Sequence, residues 1–456
     1  MKLEVLVLAA GQGTRMKSEV PKVLHKVADK PLLEHVYDLA NTLDAERITV
    51  VYGHGGDKVL TALSHLPVHW VEQTVRLGTG HAVMQAKDYI SDDAVTLILY
   101  GDVPLLTRET TERLLKAVPQ DGLAILTIHL EDPKGYGRIL RNAQGDVVRI
   151  VEERDCSDLE RKIHEGNSGI LAVSGARLKQ WLERLGNQNA QGEYYLTDIV
   201  ELAVTDGVAV TSTCSADPDE VLGVNDRQQL AHLERVYQGR EAKRLMQQGV
   251  TLRDPQRVDI RGHIEIQGQD IEIDVNVVLE GNVQLGNRVC IGANTTIRNA
   301  KIADDVVILP NSHIEEAIIG EEARIGPFAR IRPGTVLASK THVGNFVELK
   351  KAVVGEGSKI NHLSYIGDTE MGAGVNIGAG TITCNYDGVN KFKTTIEDGA
   401  FIGSDTQLIA PVRVGRNATV GAGSTITKEV PSDQLTLSRA KQITIAGWQR
   451  PTKKED

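Results

Sequence analysis

A chain of 456 residues is too long for one ordinary core, which predicts two or three domains. Acidic residues outnumber basic ones by 61 to 51, the net charge is −10 and no long basic run occurs, which excludes the electrostatic footprint of a nucleic-acid binder. The four cysteines, Cys156, Cys214, Cys290 and Cys384, are far apart and form no C-x-x-C pair, which argues against a disulfide framework or zinc site and fits a reducing cytoplasm.

In chain order, the apolar Met1–Ala10 runs directly into Gly11-Gln12-Gly13 without a basic flank or a small-residue cleavage site, so it reads as a buried first strand and not a signal peptide. No apolar run approaches the roughly 20 residues a membrane helix needs, so no membrane insertion is expected. Val5–Leu8, Ile48–Tyr52, Thr96–Tyr100 and Leu123–Ile128 are β-branched runs separated by segments of helical length. Such alternation predicts a mostly parallel sheet covered by helices, an α/β domain over residues 1–226 with a Rossmann-like mixed sheet. Ligands of open sheets sit beyond the carboxyl ends of the strands, where Gly11 and Asp102 both fall.

Leu8-Ala9-Ala10-Gly11-Gln12-Gly13-Thr14-Arg15-Met16 places a glycine-rich turn after that first strand, with Arg15 and then Lys22 following. Backbone N–H groups in such a turn cradle phosphate oxygens. The pattern is neither a Walker A loop nor a full G-x-G-x-x-G, because Met16 stands where a third glycine would. Alone it is equally an ordinary strand-to-helix connection. Together with Pro21-Lys22 and Tyr100-Gly101-Asp102-Val103-Pro104, however, it resembles the sugar-nucleotide pyrophosphorylase family.

The resemblance implies in-line attack of a sugar 1-phosphate on the α-phosphorus of a nucleoside triphosphate, catalysed by positioning and charge neutralisation. It implies a Mg²⁺ shared by Asp102 and by Asn225 of Val224-Asn225-Asp226, with Arg15 and Lys22 as catalytic cations. It puts Leu8, Ala9, Ala10, Gly11, Tyr100 and Gly101 around the nucleotide, and Gln73 with Gly78-Thr79 on a uracil edge, which makes the substrate UTP. Gly137, Glu152 and Asn167 match the family's sugar-binding positions. The segment Gln191–Asp198 either walls the sugar pocket or, through Thr197 or Asp198, caps a helix.

Residues 227–247 carry Leu230, Leu233, Tyr237, Leu245 and Met246 among many charges, which predicts an amphipathic linker helix. Beyond residue 248 the period changes. Leu279, Leu285, Ile291 and Ile297 recur every six residues, with Val277, Val283 and Val289 two positions earlier, and aliphatic-Gly pairs such as Ile319-Gly320 and Val420-Gly421 continue the series. A short strand plus a turn, repeated three times, closes a triangular coil, so residues 248–456 read as an all-β parallel β-helix. The run Thr383–Thr395 lacks the repeat and marks a loop leaving the coil. The pattern resembles hexapeptide-repeat proteins, which implies a left-handed coil. The end, Arg450–Asp456, is charged and expected to fray.

Polar residues interrupt the repeat within Ile331-Arg332-Pro333-Gly334, Phe346–Lys351, His362–Asp368 and Asn376–Gly388. These segments resemble the acetyltransferase half of the bacterial family of bifunctional N-acetylglucosamine-1-phosphate uridyltransferases and glucosamine-1-phosphate acetyltransferases. That resemblance implies His362 as the base for the sugar amine, oriented by Glu348, with Arg332 and Lys350 on the sugar phosphate and Tyr365 and Asn376 on the sugar. It implies acetyl-CoA along Ala379, Asn385, Tyr386, Ser404, Ala422 and Arg439, with the oxyanion taken by a backbone N–H near Tyr386 and the Ser404 hydroxyl. Ala379 and Ala422 are equally well read as corner residues of the coil. The family further implies a cytoplasmic homotrimer that acts on glucosamine 1-phosphate and N-acetylglucosamine 1-phosphate, for peptidoglycan and lipopolysaccharide. Two other readings remain: a coil that only regulates or assembles, and a chain without catalysis.

Overall fold

A computed structural model of the chain describes residues 2–53 and 55–453, so 454–456 of the charged tail lie outside it. The chain forms two compact units, Met1–Tyr237 and Gln238–Asp456. Among the described residues no helix is long and apolar enough to cross a membrane.

The first unit is built on a nine-stranded sheet whose main path runs Val210–Ser215, Leu123–His129, Glu165–Ser174, Ala94–Tyr100, Lys2–Ala9, Arg47–Tyr52 and His69–Glu72. Pairing is parallel except at Glu165–Ser174, which runs against both neighbours. The continuous apolar run of the first strand follows from burial on two faces. Val5, Val7 and Ala9 enter one core with Val36 and Leu97, while Leu6 and Leu8 enter the other with Ala82 and Ile98. The hairpin of Arg138–Arg141 and Val147–Val151 branches off at Gly166.

Because Lys2–Ala9 lies between two parallel partners, three carboxyl ends emerge at one edge, leading into Ala10-Gly11, Gly53 and Gly101-Asp102. Close approach there demands small residues: a Cβ on Gly53 would stand 3.0 Å from that of Ala10. Met16 explains itself, since it is buried with Val27, Leu32, Leu105, Val224 and Leu233, a role glycine cannot fill.

The second unit is a parallel β-helix. One column of strand pairings runs Cys290, Val307, Arg324, His342, Lys359, Asn376, at intervals of 17 or 18 residues, which is three six-residue repeats per coil. From Asn376 to Phe401 the interval rises to 25. The extra residues lie between Cys384 and Thr394, inside the run expected to leave the coil. The interior is a stack of aliphatic columns; Leu279, Ile297, Ile314, Ile331, Leu349 and Ile366 follow one another in register and all are fully buried. Each such side chain contributes roughly 1.5–3 kcal/mol of transfer free energy. Corners fall on residues with left-handed backbone, first Asn276, Asn294 and Asn311, whose carboxamides hydrogen-bond in a ladder at 2.9 and 3.2 Å, and then Phe328, Phe346 and Leu363.

The expected linker helix spans Arg227–Gln247, and the division between the units falls inside it. Leu233 is buried in the first unit and Leu245 in the second, but Met246, expected on the apolar face, is 43% exposed. Gln238 is engaged instead: its Nε2 donates to the Ile260 carbonyl at 2.8 Å and its Oε1 accepts from the Ile260 N–H at 2.6 Å, pairing the backbone of the strand Val258–Ile266.

Candidate active sites

Beyond the carboxyl ends of the central strands lies a cavity of about 820 Å³. Leu8, Ala9, Ala10, Gly11, Lys22, Gln73, Gly78, Thr79, Tyr100 and Asp102 all line it, as do Gln12, Arg76 and Glu193, which the sequence reading did not single out. Arg15 is exposed in the short turn Thr14–Met16 and is not among the lining residues. Gln73 is held by its amide nitrogen, which donates to the Gly78 carbonyl at 3.2 Å and meets His81 Nδ1 at 3.0 Å.

Lys22, half-sunk in the cavity wall, donates from one ammonium to Asp102 Oδ2 and to Asn225 Oδ1, the latter at 3.2 Å. The Val224 N–H bonds the Asp102 carbonyl at 2.9 Å, which ties the segments that carry Asp102 and Asn225 together. Two hard oxygens converging on one positive group suit a divalent cation, and Mg²⁺ takes few protein ligands when phosphates supply the rest. Among the described residues no group of three His, Cys, Asp or Glu offers an all-protein cage. The residues therefore fit a cation held by one carboxylate, one carboxamide and the substrate.

Gly137, Glu152 and Asn167 come together but do not line this cavity, and Glu152 lines a second one of about 430 Å³ with Tyr195 and Asp198. The Asn167 N–H donates to the Gly137 carbonyl at 2.8 Å, Asn167 Oδ1 accepts from the Gly169 N–H at 3.1 Å, and a Cβ on Gly137 would stand 3.5 Å from Glu152 Oε2. Tyr100 joins the two regions: its ring packs on Gly169, and burial together with the charges of Glu152 and Asp102 holds its hydroxyl far above the usual range. Burial raises the Glu152 carboxyl against the hydrogen bond from the Thr197 hydroxyl, at 2.9 Å. In the segment Gln191–Asp198, Glu193 lines the large cavity and Tyr195 and Asp198 line the second one with Glu152, while the helix Ile199–Thr205 has no side-chain cap. Asp198 has its carboxyl pushed up to about 6 by burial and by Glu201, Glu152 and Asp155. Sequence reasoning also missed Arg138, 2% exposed and paired at 2.9 Å with Glu153, which ties the Gly137 strand to the Glu152 segment.

On the coil, His362 ends the strand Lys359–His362 with its ring exposed. Its Nδ1 lies 2.8 Å from Asn345 Oδ1; with that oxygen accepting, the proton sits on Nδ1 and Nε2 keeps its lone pair. His362 lines a groove of about 460 Å³ with Asn376, Ala379, Ser404 and Ala422. Arg439 runs beside it, with its guanidinium 3.8 Å from where a Cβ on Gly421 would be. Ala379 and Ala422 thus follow the close-packed glycines of the turns and line the groove as well.

A second polar group gathers around the corner. Arg332 pairs with Glu348 at 2.7 Å, Lys350 lies 3.7 Å from Asp368 Oδ2, and Asn385 donates to that same oxygen. Tyr365 is in register with Glu348, and its hydroxyl lies with Asn385 over Gly367. Within one chain, Glu348 meets Arg332, and the side chain that touches the His362 imidazole is Asn345. The coil explains this, because Asn345 pairs in register with His362, whereas Glu348 lies past the Phe346 corner on the next face. Asn345 stands 17 residues before His362, one turn of the coil, and that spacing was the signal that could have found it. Tyr386 is exposed in the loop that leaves the coil, bridged to Lys391. Neither it nor Arg332, Lys350, Tyr365 or Asn385 lines the His362 groove.

Comparison with known proteins agrees with both halves. Residues 5–252 match the MobA-like NTP transferase domain, 260–354 the GMPPB C-terminal domain, and 393–428 the bacterial transferase hexapeptide of six repeats. The chain is 60% identical over 453 residues to a protein of Methylococcus capsulatus named "Bifunctional protein GlmU", covering 99% of this chain and 98% of that one. Proteins of the same name from Azoarcus sp. (56% identical, 99% of this chain and 100% of theirs) and Marinobacter nauticus (57%, 99% and 99%) are similar throughout.

Proposed function

Since the chain belongs to the bifunctional GlmU family, we propose the following division of chemistry between its residues. The enzyme transfers acetyl from acetyl-CoA to glucosamine 1-phosphate, and uridylyl from UTP to N-acetylglucosamine 1-phosphate with release of pyrophosphate, giving the UDP-N-acetylglucosamine used in cell-wall synthesis.

In the first unit, the glycine turn and Lys22 receive the triphosphate, Arg15 reaches it from the exposed turn, and Gln73 with Gly78 and Thr79 selects uracil. Gly137, Glu152 and Asn167 orient the sugar so that its phosphate oxygen lies in line with the α-phosphorus. Asp102 and Asn225 would hold a divalent cation, assigned as Mg²⁺, which supplies charge neutralisation for the departing pyrophosphate.

In the second unit, His362 Nε2 takes a proton from the sugar amine as its nitrogen bonds to the thioester carbon. The carbonyl electron pair moves onto oxygen, where the Ser404 hydroxyl and an N–H near Tyr386 donate to it. Collapse then breaks the carbon–sulfur bond, and the thiolate of coenzyme A leaves and takes the proton. Arg332 and Lys350 hold the sugar phosphate, Tyr365 and Asn376 the ring, and Ala379, Asn385, Ala422 and Arg439 the coenzyme. Because Arg332, Lys350 and Tyr386 stand off the groove that His362 lines, the complete site is assigned to the junction of subunits in a cytoplasmic homotrimer.

The observation that carries the second activity is the exposed imidazole, tethered through Nδ1, at the edge of a groove. The test is thiol release from acetyl-CoA with glucosamine 1-phosphate, followed alongside pyrophosphate release from UTP. No thiol release would reduce the coil to a regulatory or assembly module, and a monomer in sedimentation equilibrium with full acetyl transfer would refute the subunit junction.

A further inference from the structure

The Lys22 ammonium sits on the two atoms assigned to the metal. It donates to Asp102 Oδ2 and Asn225 Oδ1 at once, and both acidic partner and lysine are largely withdrawn from water. A divalent ion bonds such oxygens at about 2.1 Å, which would place it almost in contact with an ammonium bonded to the same pair. Two positive groups that close in a partly buried wall repel strongly, so only one of them holds both oxygens. The path of the lysine matters too. Its stem lies against the glycine turn, where a Cβ on Gly13 would stand 2.7 Å from Lys22 Cβ and one on Gly11 would stand 3.7 Å from Cε. Rotation about the last side-chain bonds would therefore carry the ammonium from the carboxylate toward an anion bound at the glycine turn.

We infer that Lys22 is a resident cation that competes with the divalent metal for Asp102 and Asn225 and yields them when a phosphate-bearing substrate offers it another anion. Metal and nucleotide then enter together, and the two oxygens are never left without a positive partner. The inference rests on Asp102 and Asn225 being the metal's ligands.

The test is Mn²⁺ binding to the full chain without any nucleotide, read by electron paramagnetic resonance of the free ion. Lys22→Met keeps the length of the stem and removes the charge, so it should bind Mn²⁺ at least about tenfold tighter than the wild type, although it cannot turn over UTP. Lys22→Gln, shorter and polar, should shift in the same direction, which guards against a fold defect in one variant. Adding Asp102→Ala to Lys22→Met should abolish the gain. Binding by both Lys22 variants equal to or weaker than the wild type would overturn the competition while leaving the ligand assignment intact, provided that Asp102→Ala still weakens binding. A gain that survives Asp102→Ala would place the ion elsewhere and overturn both.

Discussion

The two units solve the problem of gathering a site in opposite ways. In the sheet, residues as far apart as Gly11, Asp102 and Asn225 meet because parallel strands release their chains at one edge, and a single chain encloses the cavity. In the coil, each turn presents the same three faces, so residues 17 or 18 apart stack into columns. His362 and Asn376 share one face with the groove, while Arg332, Lys350 and Tyr365 stand on the next. A crevice between strands is built by one chain; an exposed prism face acquires walls only from another object. Substitutions in one unit should therefore leave the chemistry of the other untouched, and the sharpest break would be a single substitution that silences both.

Asp102→Ala should have the largest effect, lowering pyrophosphate release from UTP by on the order of 10³-fold while acetyl transfer is unchanged, because a phosphoryl-transfer site works almost wholly by positioning and charge. His362→Ala should do the reverse, with thiol release falling by about 10²- to 10³-fold, the scale of one general base. Loss of both activities in either folded variant would end the separation of the sites.

Asn345→Ala probes the coil more finely. It removes the acceptor that keeps the proton on Nδ1, so acetyl transfer should drop by about tenfold, the size expected for an orienting partner. Asn345→Asp, which still accepts, should recover most of the rate. An Ala variant with the wild-type rate would show that the tether is idle. Thr197→Val is the counterpart in the sheet: Glu152 loses its hydroxyl donor in a buried setting, so the KM for the sugar phosphate should rise roughly fivefold with the KM for UTP unmoved, and Thr197→Ser should restore it.

How far the sequence reached depended on whether a signal was local. The glycine turn, the Tyr100–Pro104 segment and the six-residue ladder are contiguous or strictly periodic, so their places in the fold were readable, and even the loop that breaks the coil between Cys384 and Thr394 was visible as a missing repeat. What escaped were contacts set by tertiary register. Asn345 touches the His362 ring from one turn of the coil below, while within one chain the corner at Phe346 puts Glu348 on another face. The buried Arg138–Glu153 pair and the Thr197 bond to Glu152 join segments whose spacing carries no pattern. Met246 shows the converse failure: an apolar residue near the end of an amphipathic run lies exposed.

The smallest expected effect separates the units by stability. Carboxyl groups raised by burial, Glu152 and Asp198, belong to the sheet, whereas Asp304, Asp305 and Glu397 on the coil are half-exposed and lowered by hydrogen bonds. Asp198 is pushed up from 3.8 to about 6, so between those values the folded chain holds a proton that the unfolded chain has released. Stability contributed by that proton is complete at low pH and falls as pH rises from about 4 to about 6, after which the buried charge is a constant penalty. Asp198→Asn removes the penalty, so at pH 7.5 it should raise the stability of the sheet unit by on the order of 1 kcal/mol and at pH 4 by nothing. Calorimetry at the two pH values checks this, and the transition of the coil should not move at either. A gain of equal size at pH 4 would mean that the asparagine packs better, and that the charge of Asp198 was never a cost.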